Sequence, residues 1–434
     1  MRRARAALLV PCLAAAVIRA APAGGIGKAE KGDASIEAIG SVRLTAAYLH
    51  YPDVTMFFPP DDEGIAATEA RLILEGDLGP RLRYDVNLFA AFSHVPDSAL
   101  AGAFETAGAA STPYRTRYLA WDFWDSGSTD GRLGVDRLAL TLEVDRVVLA
   151  LGRFTVNWSV AEILAPNDFF APFTPVAINT EWKPGVDAIR LAVTTGALSS
   201  VEVAGVLGNG TDSVPAWGRS AVLVRIATVL WGFEWALLGG KVAERWIAGC
   251  SFQGEAGPIG LRGEAHAGFP DASGDGRLDD VDRDGAWRDD IHGRLSAGVD
   301  LNLPWQNLSL ATEYMFLSDG VGRASGYLGR LARLFPDDQP FLGRHYVALS
   351  AGVDIIPILR LDTLGLFNAT DFSGLAAVIL SYSIADEADA VLGVLLPWGD
   401  EPLYQSGPPV YGPSIESEFG LLPLMFFAET RFYF

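Results

Sequence analysis

Two cysteines, five histidines and four methionines among 434 residues leave little material for thiol, metal or thioether chemistry. The histidines stand at 50, 94, 266, 292 and 345, without a His-x-x-x-His pair or a cysteine cluster, which argues against a metal centre. Cys12 lies in an N-terminal segment that reads as removable, so Cys250 alone would remain and no intramolecular disulfide could form. Basic residues are also scarce. Against 33 Lys and Arg stand 53 Asp and Glu, and a formal charge of −20 is the wrong sign for a nucleic-acid or anionic-surface binder. Nowhere does the chain offer the roughly 18 consecutive apolar residues that a membrane helix requires. Nucleotide-binding glycine loops and serine-nucleophile motifs are lacking too, so nothing points to an enzyme. Half of the residues are nevertheless hydrophobic, with 47 Gly and 11% aromatics, a composition suited to many short amphipathic strands.

At the N-terminus, Arg2, Arg3 and Arg5 precede an apolar run from Ala6 to Ile18, and Ala21-Pro22-Ala23 supplies a small-residue cleavage pattern. Residues 1–23 therefore read as a secretory signal peptide and residues 24–434 as one domain. Cleavage would remove four Arg and no acid, taking the formal charge to −24.

The end of the chain is the most informative segment. Counting back in twos from Phe434 gives Phe432, Thr430, Ala428 and Phe426, while the alternate set is Tyr433, Arg431, Glu429 and Phe427. One face suits hydrocarbon and the other suits water, the period of a strand that crosses a bilayer. Residues 81–93 repeat the pattern, with Leu82, Tyr84, Val86 and Leu88 against Arg81, Arg83, Asp85 and Asn87. So do residues 36–49 and 68–77. Continuing along the chain gives about 18 strands, with 16 as the alternative count. Residues 94–135 read as a long outer loop, and the last strand reads as 418–434. Short turns (Gly79-Pro80, Gly196-Ala197, Gly257-Pro258) fall at one end, and long segments (51–67, 156–185, 270–290, 318–343, 399–417) at the other. The expected fold is all-β: a transmembrane antiparallel up-and-down β-barrel in the outer membrane of a Gram-negative-type bacterium.

At this strand number the lumen is too wide for side chains to fill. Charges on the lipid side would cost roughly 2–4 kcal/mol each for Arg at the midplane. The expected pore-lining residues are therefore Arg43, Arg71, Arg83, Asp85, Arg190, Arg225, Glu234, Arg262, Glu264, Arg294, Glu313, Arg360 and Asp362. Any one of these pairs could also simply solvate and stiffen the wall. Residues 156–184 carry Trp158, Phe169, Phe170, Phe173 and Trp182, too many apolar groups for a solvated loop. Either they fold into the barrel and place Asn167, Asp168, Glu181 and Lys183 at a constriction, or they cap the rim or a neighbouring subunit.

Residues 271–290 alternate acids with glycines, and Asp271, Asp275, Asp279 and Asp282 approximate a Ca²⁺ loop. An Asp at 282 in place of a bidentate Glu, and no flanking helices, leave a merely solvated acidic loop as the other reading. No other cofactor is expected.

Four motifs carry a family likeness. Gly152-Arg153-Phe154-Thr155-Val156-Asn157-Trp158 resembles the GRQ-x-x-x-W strand end of porin-like outer-membrane proteins, with Phe154 in place of Gln. Pro166-Asn167-Asp168-Phe169-Phe170-Ala171-Pro172 and Lys183-Pro184-Gly185-Val186-Asp187-Ala188 resemble the loop and the barrel re-entry that follow it, and Asn368 to Ser373 resembles their N-x-x-D-x-S hairpin. With the terminal Phe, the chain is similar to the alginate-export and related porin families. The resemblance implies passive diffusion of small hydrophilic solutes, contacts with lipid and lipopolysaccharide, folding by the barrel assembly machinery, and a possible homotrimer. The rival readings are a non-conducting surface barrel and an enzyme built on a barrel wall.

Overall fold

The computed structural model describes residues 27–52, 62–95, 113–172, 182–210, 214–271, 291–331, 341–407 and 410–434. Residues 1–23, which read as a signal peptide in the sequence, lie outside them.

Eighteen strands form a closed antiparallel ring. In chain order they are β1 Ala34–His50, β2 Glu63–Asp77, β3 Leu82–His94, β4 Thr129–Val144, β5 Val147–Phe154 and β6 Val186–Gly196. Then come β7 Ser199–Val206, β8 Ala221–Leu230, β9 Phe233–Val242, β10 Arg245–Ala256, β11 Ile259–Pro270 and β12 His292–Leu303. The ring ends with β13 Leu308–Leu317, β14 His345–Ile356, β15 Leu359–Asn368, β16 Gly374–Ala385, β17 Ala388–Trp398 and β18 Leu424–Tyr433. Each strand pairs with its chain neighbours, and β18 closes on β1 from Ser41↔Tyr433 to His50↔Leu424. Phe434 exchanges two backbone hydrogen bonds with Gly40, at 2.6 and 2.9 Å, so the seam runs to the last residue. No wall strand is left with a free edge, which is the condition for a sheet in lipid.

Side-chain alternation follows from the pleat. On β2, Ile65, Ala67, Glu69, Arg71 and Ile73 are buried while Ala66, Thr68, Ala70, Leu72 and Leu74 lie on the other face. Leu138, Leu140 and Leu142 on β4, Leu237 on β9, Leu349 on β14 and Phe426 on β18 are exposed large apolar groups, as hydrocarbon-facing positions should be. Aromatic side chains crowd both rims: Trp231 and Trp305 at short turns, Trp121, Trp124 and Trp217 at the other end. Every turn from an even to the next odd strand is short, and most connections from odd to even are long.

Three segments depart from expectation. β4 begins at Thr129 rather than Asp136, because a bulge opposite Asn87 and Leu88 breaks the alternation on which the sequence reading relied. Residues 120–126 form a short strand on the outer half of β4, where β5 has already ended, instead of belonging to an irregular loop. Before β18, residues 419–421 make a 3-10 turn, so the last strand starts at Leu424 and not at Glu418.

Gly152 near the end of β5 has φ +124° and sits against the Leu138 carbonyl of β4, where a methyl group would collide. Gly152→Ala should cost about 1–3 kcal/mol, measured as a lowered midpoint when the barrel, folded in lipid vesicles, is unfolded with denaturant. An unmoved midpoint would mean that β5 relaxes around the added methyl.

Candidate functional site

β5 ends with Arg153, whose guanidinium is almost fully buried. Its Nε and Nη2 donate to Asp187 at the start of β6, at 2.6 and 3.0 Å, and further bonds run to the carbonyls of Val135 (2.8 Å) and Thr116 (2.9 Å). This pair fixes both roots of the segment between the two strands. From there the chain turns to the side of the wall that carries buried side chains, not the exposed apolar one.

An irregular segment must place its backbone N–H groups somewhere. Here two carboxylates of distant strands receive them. Glu264 on β11 accepts from the N–H of Val160 (2.6 Å), Ala161 (3.3 Å) and Asn167 (2.9 Å), and from the Ser159 hydroxyl (2.8 Å). Glu313 on β13 accepts from the N–H of Glu162 (2.8 Å), Ile163 (2.9 Å) and Leu164 (2.7 Å). Arg262 pairs with Glu162 of the segment and with Asp300 of β12. Residues 159–167 thus lie against β11 and β13, six and eight strands beyond the strand they leave.

Apolar packing repeats the arrangement. Trp158, Phe169 and Phe170 join a buried cluster with Ala150, Ala204, Leu223 and Leu238, while Leu164 joins a separate one with Met315, Tyr346, Leu366, Leu395 and Phe427. The segment therefore touches both sides of the barrel. On its return leg, Lys183 pairs with Asp168, and Trp182 lies 5.8 Å from the Arg71 guanidinium, which is the same distance from Phe89 on its other contact. Burial pushes the Asp168 carboxyl up, against the pull of Lys183.

Among the expected constriction residues, Asn167 and Asp168 are buried: Asn167 Oδ1 meets His266 Nδ1 at 2.9 Å, and Asp168 holds Lys183. Glu181 lies outside the described residues. The expected pore-lining charges fall into small groups. Arg43 lies 3.5 Å from Glu429, and Arg71 binds Glu69 (2.5 Å) and Asp136 (2.7 Å). Asp85 faces Arg137 at 3.6 Å, and Arg225 bridges Glu202 and Glu234. Arg294 reaches Asp319 at 2.8 Å, and Arg360 spans Asp354 and Asp362 at 3.1 and 3.0 Å. Arg190 lies over the Phe154 ring. Arg83, near the short-turn end, has a largely exposed side chain and only a loose pairing with Asp77, 3.6 Å away. Glu264 and Glu313 differ from the rest, since loop N–H groups occupy their oxygens.

Asp271 is fully buried and accepts from Trp246 Nε1 at 2.9 Å. Asp275, Asp279 and Asp282 lie outside the described residues, among which no group of His, Cys, Asp and Glu could hold a metal. Sequence reasoning missed Asp136 and Asp187 as the partners of Arg71 and Arg153. Asp136 stands at the bulge in β4 and Asp187 at the start of β6, where alternation gives no signal, although Asp187 sits inside a quoted motif.

No family model and no curated protein matches the chain. Solved structures do. OccK2 (OpdF) of Pseudomonas aeruginosa, in complex with glucuronate, is 11% identical over 92% of this chain and 97% of its own, with a TM-score of 0.52. OpdL of the same organism is 12% identical over 92% and 98%, with a TM-score of 0.53. A BenF-like porin from Pseudomonas fluorescens Pf-5 is 9% identical over 92% and 98%, also at 0.53. The likeness is one of fold: this chain is a porin-like 18-strand barrel.

Hydrogen bonds to a charged acceptor contribute about 1.5–3 kcal/mol each. Replacing both carboxylates (Glu264→Gln with Glu313→Gln) should free residues 159–167 while the ring stays closed. The check is limited proteolysis of the folded barrel: cuts within this stretch in the variant, none in the parent. Equal resistance would show that apolar packing alone holds the segment.

Proposed function

We propose that the chain is an exported outer-membrane channel through which small hydrophilic solutes diffuse, with a lumen of paired charges narrowed by residues 155–172. The observation that carries this reading is the backbone attachment of residues 160–167 to Glu264 and Glu313. A loop tied to inward carboxylates of distant strands reduces the bore. The remaining inner wall, with Arg43, Arg71, Arg225 and Arg360 each beside a carboxylate, is polar and of mixed sign, which suits water and polar solutes more than one ion class. Diffusion needs neither cofactor nor energy source. The solved complex of OccK2 with glucuronate, and the resemblance of residues 152–158 to alginate-export barrels, make uronates the first solutes to try.

A second reading has one observation behind it. Two apolar clusters occupy part of the interior, as they would in a barrel sealed by its own loops.

Planar-bilayer recording separates the two. The parent should form discrete channels, and Glu264→Ala with Glu313→Ala should raise their conductance by releasing the loop. Unchanged conductance in the variant would remove the loop from the constriction. A folded barrel that carries no current would favour the sealed reading. Vesicle swelling in glucuronate, compared with glucose, tests the solute.

A further inference from the structure

The connection between β3 and β4 closes the wall where β5 is too short to do so. β5 stops at Phe154, whereas β4 begins at Thr129 and pairs along the whole outer half of β3. The other side of β4, from Thr129 to Gly134, is taken by residues 120–126, from Ala120↔Gly134 to Ser126↔Thr129. Upstream, residues 113–116 reach across to β6. The Tyr114 carbonyl accepts from the Asp187 N–H at 2.9 Å, at the start of β6, and the Pro113 carbonyl from the Asn209 N–H at 2.7 Å, just after β7. Residues 113–126 thus form a panel between β4 and β6.

A strand ladder holds the panel on the β4 side, and charges hold it on the β6 side. The Thr116 N–H donates to Asp187 Oδ2 at 2.5 Å, and the Thr116 carbonyl accepts from Arg153 at 2.9 Å. Arg115 lies 3.1 Å from Oδ1 of Asp136, the bulge residue of β4, whose Oδ2 takes Arg71 at 2.7 Å. Arg71 in turn holds Glu69 at 2.5 Å, and Arg153 holds Asp187 at 2.6 Å. Three arginines therefore meet three carboxylates, and none of the six side chains is more than 15% exposed. Charges buried in equal number are matched as a set, so removing one strands another.

Arg115 is the one member of this set that the panel contributes. The panel also meets the bore-crossing segment twice. Arg153 and Asp187 are the roots of that segment, and the fully buried Tyr114 sets its ring edge-on to Phe170, 5.1 Å away. We propose that Arg115 is a positioning residue. It completes the balanced set and seats the panel in the wall, and the panel holds the bore-crossing segment in place through Arg153, Asp187 and Phe170.

Hydrogen exchange at the Asp187 and Asn209 amides, whose acceptors belong to the panel, reads its seating in the full chain, in detergent or bilayers. Arg115→Met leaves two arginines with three carboxylates, and Asp136→Asn leaves three with two. Each should lower protection about a hundredfold, the order expected when one partner of a buried pair is removed. The two substitutions together restore two against two and should bring protection back to within about tenfold of the parent. Unchanged protection in the single variants overturns the proposal. So does a double variant as unprotected as either single one, which would leave Tyr114 packing as the fastening. If the single variants do not fold, a double variant that folds supports the balanced set, and one that fails overturns it.

The consequence for current rests on the channel reading. Arg115→Met should change the single-channel conductance, and the double variant should return it to the parent level. Rescued protection with one conductance in every variant overturns the positioning role. Rescued protection in a barrel that never conducts keeps the panel and removes the channel, whereas discrete channels with equal protection in all variants do the reverse.

Discussion

Closure of the sheet is the constraint from which the rest follows. Once β18 pairs with β1, no wall strand keeps a free edge, and the pleat sends alternate side chains outward and inward except at bulges such as the one in β4. The outer set must be apolar. The inner set is then free to be polar, but only under a condition: its charges share one narrow space and must be matched there. The groups around Arg43, Arg71, Arg225, Arg262 and Arg360 each meet that condition with carboxylates on the same or adjacent strands, and Arg71 also reaches past β3 to Asp136. Neighbouring strands lie about 4.8 Å apart, so a long Arg side chain reaches the next strand easily, which is why pairing is mostly local.

Glu264 and Glu313 are the exceptions, and they are informative ones. Arg262 lies 4.0 Å from Glu313 and is committed to Asp300 and Glu162. The matching charge is instead the row of partial positive N–H dipoles on an irregular segment. A loop inside a barrel has the opposite difficulty, since it carries donors and has no ladder to receive them. Each component supplies what the other lacks. Glu418 does the same at the rim for Leu342 and Gly343, with Asn368 and Tyr346 as further donors.

The ring itself was legible in the amino-acid sequence because a bilayer sharpens the period of two. Arg81 to Ser93 and the terminal strand alternate in full, and all 18 strands were placed in order. Legibility failed where alternation fails for local reasons. The bulge opposite Asn87 and Leu88 and the glycines at 131 and 134 hid the outer half of β4, and the apolar run 419–422 masqueraded as strand although it turns. The candidate site was only half visible. Inward acids at 264 and 313 were evident, but their use was not, because the donors are backbone N–H groups, which every residue except proline carries. Likewise nothing near Glu418 in sequence announces Asn368 or Tyr346, which are 50 and 72 residues away.

Apolar packing and hydrogen bonding also divide their work in the bore-crossing segment. Trp158, Phe169 and Phe170 give it affinity for the wall of β4 to β10, yet side chains of that size accept many registers, as hydrophobic contacts are non-directional. The carboxylates are directional. Glu264 gathers donors from both Val160 and Asn167, so it fixes the bend between them, and Glu313 takes three consecutive N–H groups, which sets the height of that bend along the barrel. A shift by one residue would turn these donors away and leave two buried charges unmatched, at a cost larger than any aromatic contact could return. The position of the segment inside the barrel is thus set by two acids in the wall rather than by its own bulky residues.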